Sequence, residues 1–305
     1  MMTLKKNNLF AILAVFLAFQ AQSQEMDRGS VVSKNATLVK VGEGYSFTEG
    51  PAVHRTGDVY FTDQPNDKIY KWSATKNDVT LFQEGAKRSN GMYFDRNDVL
   101  ISCADLANEL IAIDEKGDIK VLIENYKGKR LNGPNDVWIA PNGGMYLTDP
   151  IYKRDWWTGR SPEMEQDGQH LYYLAPDRIQ FFRVDEKLVQ PNGLVGTPDG
   201  KKLYVADIGD KKTYVYDVEE DGYLKNRKLF CEMGSDGMTI DNKGNVYLTG
   251  NGVTVFNPKG EKIAYIPIPE RWTANVVFGG TERKTLFITA LDKVYTLDMK
   301  VRGVW

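Results

Sequence analysis

Histidine and cysteine are nearly missing from this chain. Among 305 residues there are two of each: His54 and His170, Cys103 and Cys231. Two histidines exclude a His-rich zinc site and HExxH chemistry, and they leave few ways to assemble a Ser–His–Asp triad. Two distant cysteines without a CxxC supply neither a thiolate metal site nor a disulfide framework, and both are expected as free, semi-buried thiols. Positive charge is not in excess either. Lys+Arg number 39 against 41 Asp+Glu, a formal net charge of −2, which argues against a nucleic-acid surface built on clustered basic residues. Any metal in this protein has to be held mostly by oxygen.

Long apolar runs are also lacking. Leu9–Phe19 (LFAILAVFLAF) has eleven residues, against about 20 needed to cross a bilayer. With Lys5 and Lys6 before it and Ala21-Gln22-Ser23 after it, this run has the basic, apolar and small-x-small parts of a secretory leader. The expectation is a leader over residues 1–23, a mature chain over 24–305 without stable membrane insertion, and a periplasmic or secreted location.

What the chain does have is turns and aromatics: 28 Gly, 16 Tyr and 13 Phe, a composition of short strands and tight turns. One unit recurs six times. It has a small polar start, an apolar run, a turn carrying Gly, Asn or Asp, and an aromatic-rich strand often ending in Thr-Asp or Ala-Asp. The starts fall at Glu49, Asn90, Asn135, Asn192, Asp236 and Asn275, separated by 41, 45, 57, 44 and 39 residues. Each unit also holds a further alternating strand, such as Lys68-Ile-Tyr-Lys-Trp72 or Thr213-Tyr-Val-Tyr-Asp217. About four short strands per period of 40–45 residues is the signature of propeller blades. The fold is read as all-β, a single six-bladed β-propeller, with Ala36–Val41 supplying the outer strand that closes the ring. The interval of 57 marks an insertion at about residues 150–170 in the third blade, carrying Trp156 and Trp157. Asp95-Arg-Asn-Asp98, Pro198-Asp-Gly200 and Asp241-Asn-Lys-Gly244 lack the EF-hand series and are read as hairpin turns.

In a propeller the first residues of the innermost strands meet at one mouth of the central channel. Here those positions hold six oxygen-bearing side chains, two of them carboxylates. Asn and Asp start strands readily because they cap turns, but Glu49 has no such preference. Two carboxylates among amide oxygens form the donor set of a hard cation, with Ca²⁺ preferred and Zn²⁺, Mn²⁺ or Mg²⁺ as alternatives. Without a cation the carboxylates would repel each other and at least one would hold its proton more tightly.

The segments Glu49-Gly-Pro, Leu131-Asn-Gly-Pro-Asn-Asp-Val137, Leu147-Thr-Asp-Pro150, Pro191-Asn-Gly-Leu194 and Ser235-Asp-Gly-Met238 together resemble the SMP-30/gluconolactonase family from about residue 40 to 300. The resemblance implies a six-bladed propeller with a divalent cation in its channel and hydrolysis of sugar lactones. It implies Glu49, Asn192 and Asp236 as metal ligands, Asn135 beside the metal or completing its shell and contacting substrate, and Asp236 as proton donor and acceptor. The acidic-His pair that follows the cysteine in many bacterial members is absent, since Cys103 is followed by Ala104-Asp105. Asn90, Arg130, Asn132, Tyr152 and His170 are the further candidates for contacts to substrate, with Arg88 and Asp105 nearby in the pattern.

The partner expected on this reading is a small sugar lactone, with no nucleic acid, and the protein a monomer or weak oligomer. Two other activities stay open on sequence. The same oxygen cage could polarise P=O, giving a metal-dependent phosphotriesterase or arylesterase. A propeller can also be a non-catalytic binding module, or a strictosidine-synthase-type frame without the metal; converging carboxylates at Glu49 and Asp236 argue against a pure scaffold.

Overall fold

Short β-branched and aromatic runs punctuated by Asp, Asn and Gly turns produce six four-stranded antiparallel sheets, arranged as a six-bladed propeller. The computed structural model describes residues 29–159, 161 and 163–304; the leader expected over residues 1–23 lies outside the described residues. No α-helix occurs among the described residues, only a single 3₁₀ turn at Gln64–Asn66, and no helix is long and apolar enough to cross a membrane. The innermost strands are Thr48–Val53, Ser89–Phe94, Val137–Ile139, Pro191–Gly196, Met238–Ile240 and Asn275–Gly279 for blades one to six.

The ring closes through the N-terminal strand Val39–Glu43, slightly later than Ala36–Val41. It pairs antiparallel with Lys293–Asp298 as the outer strand of the sixth blade. The Asp-rich stretches are hairpin turns. Asp95 Oδ1 accepts the amides of Asn97 and Val99 at 2.8 and 2.9 Å, and Asp241 Oδ1 those of Lys243 and Asn245 at 2.8 and 3.0 Å. These carboxylates are spent on local backbone, which is what Asx turns do and calcium loops do not. Cys103 and Cys231 are both free and buried.

Packing between blades is largely aromatic and buried. At the closing seam, Phe287 of blade six lies 5.5 Å from Phe61 and 5.6 Å from Trp72 of blade one, centroid to centroid. Tyr146, Tyr172, Tyr173 and Tyr247 are likewise fully buried. Each such side chain contributes roughly 1.5–3 kcal/mol by leaving water, so the frame holding the channel mouth is rigid. Insertion residues 150–169 leave the third blade between its second strand, Met145–Asp149, and its third, His170–Leu174.

Phe287→Ala empties a site with no exposed surface between the first and last blades. The expected loss is about 3–5 kcal/mol, read as the change in urea unfolding free energy. A loss under about 1 kcal/mol would mean the seam closes by other contacts.

Candidate active site

Three of the innermost strands begin with a register break, between Glu49 and Ala52, Ser89 and Met92, and Pro191 and Leu194. Such a bulge re-aims a side chain, and here it turns Glu49, Asn90 and Asn192 toward the axis. Asn135 and Asp236 sit two residues ahead of the regular strands of blades three and five and reach the same place. These five side chains line one cavity of about 240 Å³, together with Phe47, Gln64, Tyr152, Arg154, Ile208 and Trp272.

Asn275, the sixth repeat start, does not line this cavity. Its strand begins in regular register with Thr289, so nothing turns its side chain inward. Its Nδ2 donates to Glu49 Oε2 at 3.2 Å and its Oδ1 accepts the Val276 amide at 2.8 Å. It braces the cage from beneath.

Main-chain bonds between neighbouring blades fix the ring. Gly91 N donates to Asn135 O at 2.8 Å, Gly193 N to Asp236 O at 2.7 Å and Gly237 N to Ala274 O at 2.7 Å. Glycine is required for this approach: a Cβ on Gly193 would lie 2.2 Å from the Asp236 carbonyl oxygen, and one on Gly237 1.8 Å from Asn275 Cγ.

The aspartates that end the second strand of a blade hold the loop entering that blade's innermost strand. Asp63 accepts the amides of Ser46 and Phe47, both at 3.1 Å. Asp149 accepts those of Asn132 and Gly133 at 3.0 and 2.9 Å, and Asp207 those of Val189 and Gln190, both at 2.8 Å. Glu49, Asn135 and Asn192 each lie two to three residues beyond a loop clamped in this way. Asp105 is directed to the neighbouring blades instead: its Oδ2 accepts from Arg154 Nε at 2.6 Å and from Gln64 Nε2 at 3.2 Å.

Burial, with the charge of Asp236 acting on Glu49, sets the electrostatics. Glu49 is held well above the ordinary carboxylate range by burial and then by Asp236, against the Gly50 amide at 2.6 Å and the Asn275 bond. Burial pushes Asp236 up to about 6, offset by the Trp272 indole N–H at 2.7 Å, by Asn192 and by Arg154. A third carboxyl, Asp136, lies just below; burial drives it up to about 7 although it accepts the Val137 amide at 2.9 Å. Burial, then Asp236, also raises the Tyr152 phenol.

The donor set fits a hard divalent cation. Glu49, Asp236, Asn135 and Asn192 each offer an oxygen ligand, and the negative charge of Asp236 that helps raise Glu49 is charge a cation would neutralise. No group of three His, Cys, Asp or Glu able to hold a metal exists among the described residues, so amide oxygens are needed to complete the set. The other end of the channel holds a cavity of about 210 Å³ lined by Tyr93, Phe94, Trp138, Val195 and Ile240. Its strand-end lining is mainly apolar, so the chemistry belongs at the polar mouth.

The remaining sequence candidates divide by position. Asn90, Asn135 and Tyr152 face the cavity. Arg130, Asn132 and His170 lie outside its lining and anchor the insertion. Arg130 pairs with Glu165 at 3.2 Å, Asn132 Nδ2 donates to Asp149 O and Gly168 O, and His170 Nε2 meets Asp167 at 3.0 Å. Sequence reasoning missed Asp136, Gln64, Arg154 and Trp272. Only Asp136, paired with Asn135 ahead of an apolar strand, left a usable signal.

Fold and site together define a six-bladed propeller with a buried oxygen-donor centre on its axis. Residues 47–292 match the SMP-30/Gluconolactonase/LRE-like region, and the chain belongs to this family. The gluconolactonase of Zymomonas mobilis is 28% identical over 90% of this chain and 84% of that protein. The 6-deoxy-6-sulfogluconolactonase of Pseudomonas putida is 29% identical, over 61% of this chain and 63% of that protein's length. The solved structure of a Xanthomonas campestris gluconolactonase superposes with a TM-score of 0.84 at 25% identity, covering 90% of this chain and 95% of that one.

The raised carboxylates have a stability consequence in chelated protein. A carboxyl whose folded pKa exceeds its unfolded one costs nothing below about pH 4, and destabilises the fold progressively as pH rises to the folded value. Asp136→Asn should therefore raise the melting temperature at pH 8 and leave it nearly unchanged at pH 4. An equal shift at both pH values would show that charge at Asp136 is not the cause.

Proposed function

We propose that this protein is an exported, metal-dependent sugar-lactone hydrolase. The observation that carries the reading is the convergence of Glu49, Asn135, Asn192 and Asp236 on one axial cavity, in a chain whose family includes gluconolactonases. Export rests on the basic, apolar and small-residue parts of Met1–Ser23.

Glu49, Asn192 and Asp236 would hold the cation, with Asn135 beside them, and Ca²⁺ suits the all-oxygen set best. A bound cation supplies Lewis acidity toward the lactone carbonyl. The chain's own residues supply orientation and proton transfer. Glu49 is fixed by the Gly50 amide and Asn275, so its carboxylate cannot swing out of the ring. Trp272 holds Asp236 Oδ2 at the mouth of the channel. As water adds to the carbonyl carbon, Asp236 takes its proton; as the ring C–O bond breaks, Asp236 returns that proton to the departing ring oxygen. The product is the open hydroxy acid, and no serine or cysteine nucleophile is needed.

Hydrolysis of D-glucono-1,5-lactone by the protein, followed as acid release, should stop on chelation and return with Ca²⁺. Glu49→Gln and Asp236→Asn should each remove the Ca²⁺-induced rise in melting temperature and lower turnover by at least about 10²-fold. Full activity in either purified variant would sink the site assignment.

A further inference from the structure

The insertion of the third blade carries a residue into the site whose hydrogen-bonding direction is informative. Tyr152 lines the axial cavity, and its hydroxyl oxygen accepts the Asn192 Nδ2–H at 2.9 Å. A phenol oxygen that accepts from an amide keeps its own O–H to give elsewhere. No protein acceptor takes that proton among the described residues, and the cavity is the space the ring faces.

The segment bearing Tyr152 is fixed in place. Arg154 donates to the buried Asp105 carboxylate at 2.6 Å, and Trp157 Nε1 donates to the Asp105 carbonyl at 2.7 Å. The Arg154 guanidinium lies over the Tyr152 ring at 5.3 Å and over Trp156 at 5.4 Å, while Arg88 covers Trp156 at 4.9 Å. Four planar groups from two blades form one stack, held by attraction between the guanidinium charges and the ring faces. A donor held this firmly needs no reorganisation when charge develops beside it, the condition under which a single hydrogen bond accelerates a reaction most.

Resting on the lactone-hydrolase reading, we infer that Tyr152 is a catalytic residue that donates its O–H to the lactone carbonyl oxygen, strengthening as that oxygen becomes an oxyanion. It reaches the mouth from the insertion, beside Asn192 of the cage. No proton is transferred in this contact; water addition and ring opening proceed through Asp236.

Tyr152→Phe keeps the ring in its stack and removes only the hydroxyl. Turnover of D-glucono-1,5-lactone should fall about 10²-fold, mostly in kcat. Affinity for D-gluconolactam, the unreactive amide counterpart, should fall severalfold by calorimetry, while the Ca²⁺ dissociation constant stays within about twofold. Unchanged kcat and lactam affinity in the variant overturn the inference and leave the lactonase intact. A parallel loss of Ca²⁺ affinity of about tenfold or more overturns it too, because Tyr152 would then serve only to set Asn192. A wild-type protein that turns over no lactone while the lactam still distinguishes the two proteins defeats the hydrolase reading and keeps Tyr152 as a ligand donor. Neither turnover nor lactam binding in the wild type defeats both.

Discussion

The whole arrangement depends on a few main-chain hydrogen bonds that cross from one blade to the next at the channel mouth. Gly91, Gly193 and Gly237 each donate an amide to a carbonyl at or next to the neighbouring blade's site residue. Side chains of different blades, far apart in sequence, are thereby set by backbone and not by their own rotamers. The condition is steric: a Cβ on Gly193 or Gly237 would collide with the neighbour. Asn-Gly and Asp-Gly at the repeat starts are thus one requirement, with the polar residue for chemistry and the glycine to let the blades meet.

That closeness has an electrostatic cost. Glu49 and Asp236 are raised by burial, with Asp236 adding to the shift at Glu49, and Asp136 sits raised beneath them. A fold of this size gains stability from burying Tyr146, Tyr173, Tyr247 and Phe287 and gives some back at its axis, where like charges are held together in low dielectric. An isolated binding scaffold would gain by replacing them with apolar residues. Their retention on a rigid ring fits a centre that is to be neutralised by a cation, and the rigidity is what keeps the donors converged in its absence.

Much of this was legible because propeller repeats expose their own period. The six repeat starts and the strand alternation gave blade number, the closing N-terminal strand and the position of the insertion, since each depends on local pattern. The site was legible in part for the same reason: the innermost strand starts could be found by counting. Counting could not tell that Asn275 turns beneath the cage: it stands within its strand in regular register with Thr289, whereas Glu49, Asn90 and Asn192 sit at register breaks and Asn135 and Asp236 precede their strands. Asp136 shared a motif with Asn135 but its depth under the ring is a property of packing. Arg130, Asn132 and His170 looked like contacts because polar residues near a site motif resemble one another in sequence. Their partners Glu165, Gly168 and Asp167 all lie in the insertion, and only the folded loop shows which side they face.

The departures from the repeat are where this chain becomes specific. Asp63, Asp149 and Asp207 end their strands by clamping the loop into the same blade, a structural task that any blade could share. At the equivalent place in blade five stands Gly250, with φ of +141°; it accepts the Thr273 amide at 2.7 Å, and the adjoining Trp272 reaches Asp236. In blade two, Asp105 extends a carboxylate oxygen to Arg154 of the third-blade insertion. Both departures replace a brace within one blade by a contact that brings a new donor, an indole N–H or a phenol O–H, to the mouth of the channel. A repeat that is symmetric in its backbone has become asymmetric in its donors. Asymmetry is what an ester carbonyl requires, because its attacking water, its oxyanion and its leaving oxygen occupy three different directions around one carbon.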